Sequence, residues 1–183
     1  MLEVELDQSD DWNGDQGWQS LADAAVRSAF MVSSHGDLAS APFTLSLSIN
    51  LSTDAEVQTL NAQWRGKDKP TNVLSFPMLE VSELDALANT DDGEVLLGDM
   101  ILAFETCAKE ASEKAIPLAR HVTHLIVHGT LHILGLDHMD DIQAEHMEAL
   151  EVKALASLGL DNPYSDHVTI RRQQSQHNVG KRQ

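Results

Sequence analysis

The stretch HGTLHILGLDH, from His128 to His138, carries three histidines and predicts how the surrounding chain folds. A helix advances 3.6 residues per turn, so His128 and His132 project from the same face, one turn apart. Gly135 can adopt the left-handed conformation that ends a helix, after which the chain can turn back and bring His138 to the same point. The sequence therefore predicts a helix, a glycine stop and a cluster of three imidazoles.

Three imidazoles at one point can bind a metal ion. Three protein ligands with a fourth position open to water are typical of catalytic zinc, whereas structural zinc usually has four protein ligands. We therefore expect one Zn²⁺ per chain, bound by His128, His132 and His138; nickel or cobalt would also suit imidazole ligands. The alternative is that these are ordinary core histidines of a buried helix, but their spacing around a glycine disfavours it.

The same spacing occurs in the metzincin peptidases, H-E-x-x-H-x-x-G-x-x-H, except that Gly129 stands where those enzymes carry glutamate. In a peptidase, that glutamate accepts the proton of the attacking water. Its absence argues against peptide hydrolysis and leaves Asp137, beside the third histidine, as the nearest candidate base. A metallopeptidase-like hydrolase remains an alternative function.

Four stretches of the chain together resemble the YbeY family, bacterial rRNA maturation factors described as metal-dependent endoribonucleases. They are HGTLHILGLDH, LNAQWRGKDKPTNVLSFP (Leu60 to Pro77), LLGDMILA (Leu96 to Ala103) and LGLDNPY (Leu158 to Tyr164). The chain departs from the family pattern at Asn72, where aspartate is common, and at Leu136, where tyrosine is common. Neither departure removes a predicted metal ligand.

The resemblance implies a single-strand-specific endoribonuclease that acts in rRNA processing, including 16S rRNA 3′ end maturation, and in ribosome quality control. The expected partners are ribosomal RNA, ribosomal subunits and other single-stranded RNA, with no DNA and no membrane. The remaining alternative is a non-catalytic ribosome assembly factor that zinc stabilises.

Residues outside the histidine motif also have expected roles, which follow from the resemblance for Arg65 and His124 and from local charge for Lys67 and Lys69. Arg65 would lie beside the metal cleft, where its guanidinium fork suits a phosphodiester, although a surface arginine at a helix end is the simpler alternative. Lys67 and Lys69 would guide the RNA strand, unless they are merely solvated charges. His124 matches a histidine frequent in the family, and we expect it to pack behind the ligands rather than to bind the ion.

Composition predicts one soluble domain in the cytoplasm. The chain has 183 residues, 42% of them hydrophobic, and Cys107 is its only cysteine, so an internal disulfide is excluded. The acidic start, MLEVELDQSDD, is unlike an export signal. A net charge of −17 should repel RNA overall. The basic residues at 65, 67 and 69 nevertheless form a local cluster, and local field matters more than the sum.

Hydrophobic patterning predicts an α+β fold in which a small mixed β-sheet packs with helices and a zincin-like motif helix carries the metal site. We expect a loose acidic arm, or alternatively a poorly ordered first strand, over residues 1–16. A single metal-dependent hydrolase domain should cover 17–164 and a flexible basic tail 165–183. The predicted strands cover 43–49, 72–76 and 94–104. The predicted helices cover 17–33, 53–65 and 105–114, with a motif helix from 117 and a last helix from 140 or 141 to 159. The acidic segment 78–93 has no clear period and predicts a mobile loop. We expect residues 80–92 and the tail after Tyr164 to be dispensable for folding.

Overall fold

The computed structural model describes residues 1–14, 17–87 and 93–165. Within these residues the strands are Leu2–Gln8 (β1), Thr44–Ser52 (β2), Val73–Pro77 (β3) and Glu94–Ala103 (β4). The α-helices are Trp18–Val32 (α1), Asp54–Arg65 (α2), Val81–Ala86 (α3), Phe104–Glu113 (α4), Leu118–Ile133 (α5) and Asp141–Ser157 (α6). Two short 3₁₀ turns cover Asp10–Trp12 and Gly36–Ser40.

The strands form one mixed sheet in the order β1-β2-β4-β3. β1 and β4 both run parallel to β2, whereas β3 runs antiparallel to β4 and forms one edge. This sheet with its helices confirms the predicted α+β fold.

The two faces of the sheet carry different helices. Leu45, Leu47, Ile49 and Leu51 alternate along β2, are fully buried and join the main core with α1, α5 and α6. On the opposite face, Val57 of α2 packs in a smaller cluster with residues of β3 and β4. The sheet is therefore a middle layer, and α5 lies within the larger helical layer.

The acidic N-terminus is an ordered strand, so for residues 2–8 the predicted loose arm is wrong and the alternative, a first strand, is present. β1 pairs with β2 from Leu2, opposite Leu45, onwards. Leu2 and Val4 are buried while the glutamates between them are exposed, and Trp12 donates its indole N–H to the Ser52 carbonyl at 2.7 Å. The exposed acidic side chains alternate with buried apolar ones, so the acidic composition masked the strand pattern in the sequence. Residues 15 and 16 of the predicted arm lie outside the described residues.

The predicted mobile loop over 78–93 contains a helix, α3. Glu80 and Glu83 form a reciprocal capping box, and Leu84 is 1% exposed. A helix of six residues with a single buried leucine shows no period in sequence, which explains the wrong prediction for residues 81–86. Residues 88–92 and the predicted tail from residue 166 onwards lie outside the described part of the chain.

α5 carries the first two motif histidines and is buried over most of its surface. It begins after Pro117 and ends at Ile133, and Gly135 has a φ of 92°, which confirms the predicted glycine stop. A Cβ at Gly129 would lie 2.6 Å from Cε and 2.9 Å from Sδ of Met100 on β4, so this glycine allows close contact between helix and sheet. Among the residues described, none of the helices combines the length and the apolar character that a membrane crossing requires.

Candidate metal centre

The three motif histidines form one cluster at the end of α5. Helix geometry places His128 and His132 one turn apart, and the turn after Gly135 brings His138 beside them. One ring nitrogen from each lies within 4.8 Å of the others, and the Nε2 atoms of His128 and His132 are 3.1 Å apart. The cluster predicted from spacing is therefore present and could hold a metal ion.

Hydrogen bonds orient the two helix-borne rings for a cation. Nδ1 of His128 lies 2.5 Å from Oε1 of Glu151, and Nδ1 of His132 lies 2.9 Å from the carbonyl of Leu136. Because a carboxylate and a carbonyl accept, both Nδ1 atoms donate, and in neutral rings both Nε2 atoms present lone pairs. Two facing lone pairs repel each other unless a cation lies between them. The donor set thus fits a metal ion.

Behind His128 lies a buried network centred on Glu151 of α6. Glu151 is 1% exposed, and Tyr164 donates its hydroxyl to Oε2 at 2.5 Å. Nε2 of His124 lies 3.1 Å from the Tyr164 hydroxyl and 3.6 Å from Oε1 of Glu151. Burial alone would raise the pKa of Glu151, but hydrogen bonds from His124 and His128 outweigh burial and lower it to about 2. The carboxylate is therefore ionised at neutral pH, directly behind a candidate ligand.

The protonation of His132 also suits metal binding. Burial lowers the pKa of His132 to about 4, and the nearby His128 imidazole adds to the effect because two positive charges so close together repel each other. The ring is thus neutral at pH 7, which is the form that ligates a metal.

The histidine cluster opens into a cleft of about 690 Å³ that Arg65 and Lys67 also line. Arg65 ends α2, where Gly66 takes a left-handed φ of 66°, and its guanidinium donates to the Ser75 carbonyl at 3.3 Å. The predicted residues His124 and Lys69 are absent from the described cleft lining. His124 instead belongs to the network around Glu151.

The remaining cleft residues include Asp137 and both departures from the family pattern. Asp137 is exposed, and its Oδ1 accepts from the His138 amide at 2.7 Å, which shapes the turn before His138. Leu136 supports His132 through its backbone carbonyl, a group that any residue supplies. Asn72 donates to both carboxylate oxygens of Glu110, at 3.1 and 3.3 Å.

Sequence analysis missed Glu151 and assigned no role to Tyr164. A signal for the first was present: Met147, Glu151 and Leu155 recur every four residues on α6, and all three are buried. A carboxylate within such an apolar stripe indicates a buried partner. Its partner could not be identified, because His128 is 23 residues away in the chain.

Fold and site together define an α+β protein with a candidate three-histidine metal centre beside a basic cleft residue. The model of the family described as Endoribonuclease YbeY matches residues 8–159. This chain belongs to that family.

Named relatives are similar over nearly their whole length. The Endoribonuclease YbeY of Sphingopyxis alaskensis is 55% identical over 91% of this chain and 99% of its own. That of Rhizorhabdus wittichii is 52% identical over 90% of this chain and 98% of its own. The solution structure of TM1509 from Thermotoga maritima is similar over 85% of this chain and 91% of that chain, with 18% identity and a TM-score of 0.49.

Proposed function

We propose that this chain is a zinc-dependent endoribonuclease of the cytoplasm that cleaves single-stranded RNA. It would act in ribosomal RNA processing, including 16S rRNA 3′ end maturation, and in ribosome quality control. The observation that carries the proposal is a shared cleft: the three-histidine cluster and the guanidinium of Arg65 line the same cavity. Family membership supports RNA as the substrate.

His128, His132 and His138 would hold the ion. Bound zinc supplies a Lewis acid that activates water and offsets negative charge on a phosphate oxygen; nickel or cobalt could replace it. The histidine cluster comprises three residues, two of them half-buried and His138 exposed. An ion held there keeps a side open to the cleft, as hydrolysis requires and as a purely structural site does not.

Arg65 would bind the phosphodiester. Its planar fork can contact two phosphate oxygens at once and stabilise the charge that develops during cleavage. Lys67 in the cleft and Lys69 nearby would attract the RNA backbone, so that local charge overcomes the net charge of −17. Asp137, which lines the cleft, would accept a proton from the attacking water.

A peptidase mechanism is disfavoured at Gly129. The glutamate of a metzincin would need a Cβ there, and Met100 lies 2.6 Å from that Cβ position. A side chain at this position would therefore require the thioether end of Met100 to shift, and Met100 is 1% exposed in the core. The packing of α5 against β4 supports a hydrolase without the peptidase base.

Purified protein incubated with ribosomal RNA and with casein, each with and without chelator, tests the proposed function. We expect cleavage of RNA alone, lost on chelation and in His128→Ala but retained in His146→Ala, which changes an exposed histidine of α6. Cleavage of casein alone would favour the peptidase. Chelated protein that stays folded by circular dichroism but no longer cleaves RNA would count against the assembly factor, whereas RNA cleavage unaffected by chelator would refute metal dependence.

A further inference from the structure

A second cavity, of about 590 Å³, lies on the opposite side of the edge strand β3 from the metal cleft. We call it the Trp64 groove, and its principal lining residues are Asn50, Leu60, Trp64, Phe76, Met78 and Asp99. Leu60 and Trp64 are one turn apart on α2, so they share a face and form one wall. Trp64 is 66% exposed and Met78 is 51% exposed, so the groove presents apolar surface to solvent.

β3 forms the partition between this groove and the metal cleft. Val73 and Ser75 line the cleft, Phe76 lines the groove, and Pro77 lines both. The alternation of side chains along a strand places Val73 and Ser75 on one side and Phe76 on the other, and Pro77 lies at the end of β3 where the two cavities meet. At the outer edge, Arg65 directly follows Trp64 in the chain and donates to the Ser75 carbonyl. A phosphate bound at Arg65 would therefore lie beside the partition, with a cavity on either side.

The chemistry of the groove suits a nucleobase rather than a phosphate. Its lining includes two carboxylates, Glu56 and Asp99, and the described lining residues include no lysine or arginine. A phosphate would therefore be repelled. A base is uncharged, has a π-face that stacks on an aromatic side chain, and carries amino or imino groups that can donate to carboxylates. Trp12 and Trp18, by contrast, are 1% and 4% exposed and belong to the core.

We propose that the Trp64 groove binds one unpaired base of the RNA strand, stacked on Trp64, while the backbone crosses the edge of β3 beside Arg65 into the metal cleft. This inference rests on the proposed function. It makes Trp64 a substrate-binding residue that favours single-stranded RNA, because a base held in a duplex cannot turn into the groove.

A protein segment is the competing occupant of an exposed apolar groove. The observation that favours RNA is continuity: the groove and the metal cleft share Pro77, and the wall residue Trp64 adjoins Arg65 in the chain. An RNA strand bound in the metal cleft would therefore reach the Trp64 groove without a separate binding step.

The test measures binding of a short single-stranded RNA to the full chain, treated with chelator to prevent cleavage. We expect Trp64→Ala to weaken binding about tenfold, within the range found when a stacking aromatic is removed, and Trp64→Phe to restore most of the affinity. Met31→Ala, which removes a side chain 72% exposed on α1, is the matched control and should bind as the wild type does. Thermal midpoints should be equal in all four proteins, because both changed side chains are largely exposed.

Two further readouts separate a base contact from a phosphate contact. The salt dependence of binding should keep its slope in Trp64→Ala but become shallower in Arg65→Ala, since only the arginine displaces counterions. RNA should also quench tryptophan emission in the wild type and not in Trp64→Phe, because the other two tryptophans are buried. An RNA with one base removed at the bound position should lose affinity for the wild type only.

Wild-type affinity in Trp64→Ala would overturn the inference. If the wild type still cleaves RNA in that case, the proposed function stands, and the Trp64 groove is not a base-binding site. A changed salt slope in Trp64→Ala would overturn base stacking in favour of a phosphate contact. If the wild type neither binds nor cleaves RNA, both the proposed function and the groove assignment are wrong.

Discussion

The candidate metal centre has two halves that are built in different ways. His128 and His132 lie on α5 within the core, and each ring is oriented by an acceptor, the Glu151 carboxylate or the Leu136 carbonyl. His138 is exposed and follows the helix stop, and the hydrogen bond that shapes its turn is made by its backbone amide with Asp137.

This difference suggests separate roles for the two halves, one in affinity for the ion and one in access of substrate to it. The helix-borne half is prearranged by packing, so binding an ion there costs little ordering of side chains. The loop-borne half would add the third ligand at the solvent side, next to the cleft that Arg65 and Asp137 line. In the proposed site, the first half would hold the ion, and the second half, with the cleft, would determine which molecules reach it.

Removal of a helix-borne ligand should have the largest effect. We expect His128→Ala and His132→Ala to lose nearly all bound zinc, whereas His138→Ala keeps a weaker site because the oriented pair remains. Zinc per chain after dialysis measures this, with His146→Ala as the control. Near-stoichiometric zinc in all three ligand variants would refute the site. A loss in His138→Ala as complete as in the other two would refute the division into halves.

Arg65→Ala should spare the ion and impair the reaction. We expect zinc content and thermal stability near those of the wild type, with RNA cleavage lowered about a hundredfold or more, the scale of removing one preorganised donor. Lysine at this position should restore part of the loss, because it keeps the charge without the fork. Arg120→Ala, which changes an arginine paired with Asp161, is the matched control. Wild-type rates in both Arg65 variants would place this residue outside the mechanism.

Glu151→Gln sharpens the comparison from the buried side. The amide keeps the shape of the carboxylate but removes the charge behind His128, so zinc affinity should fall roughly 10- to 100-fold. Competition with a chromogenic chelator measures the change. Glu145→Gln, an exposed position on the same helix, should leave affinity unaltered. Equal zinc affinity in both variants would show that the buried network does not support the ligand.

Asp137→Asn should have the smallest effect, confined to proton transfer. If Asp137 accepts the proton of the attacking water, the variant should have a lower kcat/KM and a changed pH profile. The loss of activity that follows protonation of the histidine ligands in acid should remain in both proteins. Asparagine retains an oxygen that can accept from the His138 amide, so the turn is preserved. An unchanged pH profile would remove Asp137 as the base.

Local sequence patterns predicted the elements whose defining residues lie close together in the chain. The spacing of the histidines and Gly135 sufficed for the cluster, and the alternation in β2 sufficed for its buried face. β1 was predicted only as a poorly ordered alternative to a loose arm, because its exposed glutamates outweigh two buried side chains. α3 was missed because one buried leucine has no period. The contact between Glu151 and His128 depends on how α6 packs against α5, which no local pattern reports.

Titration of chelator-stripped protein with zinc, followed by RNA cleavage, tests the central claim most directly. If His128, His132 and His138 hold one ion that the reaction requires, stripped protein should be inactive. Activity should then rise linearly with added zinc and reach a plateau at one zinc per chain. His128→Ala should remain inactive across the same titration. Full cleavage by protein shown to contain no metal, or equal activation of His128→Ala, would contradict the account.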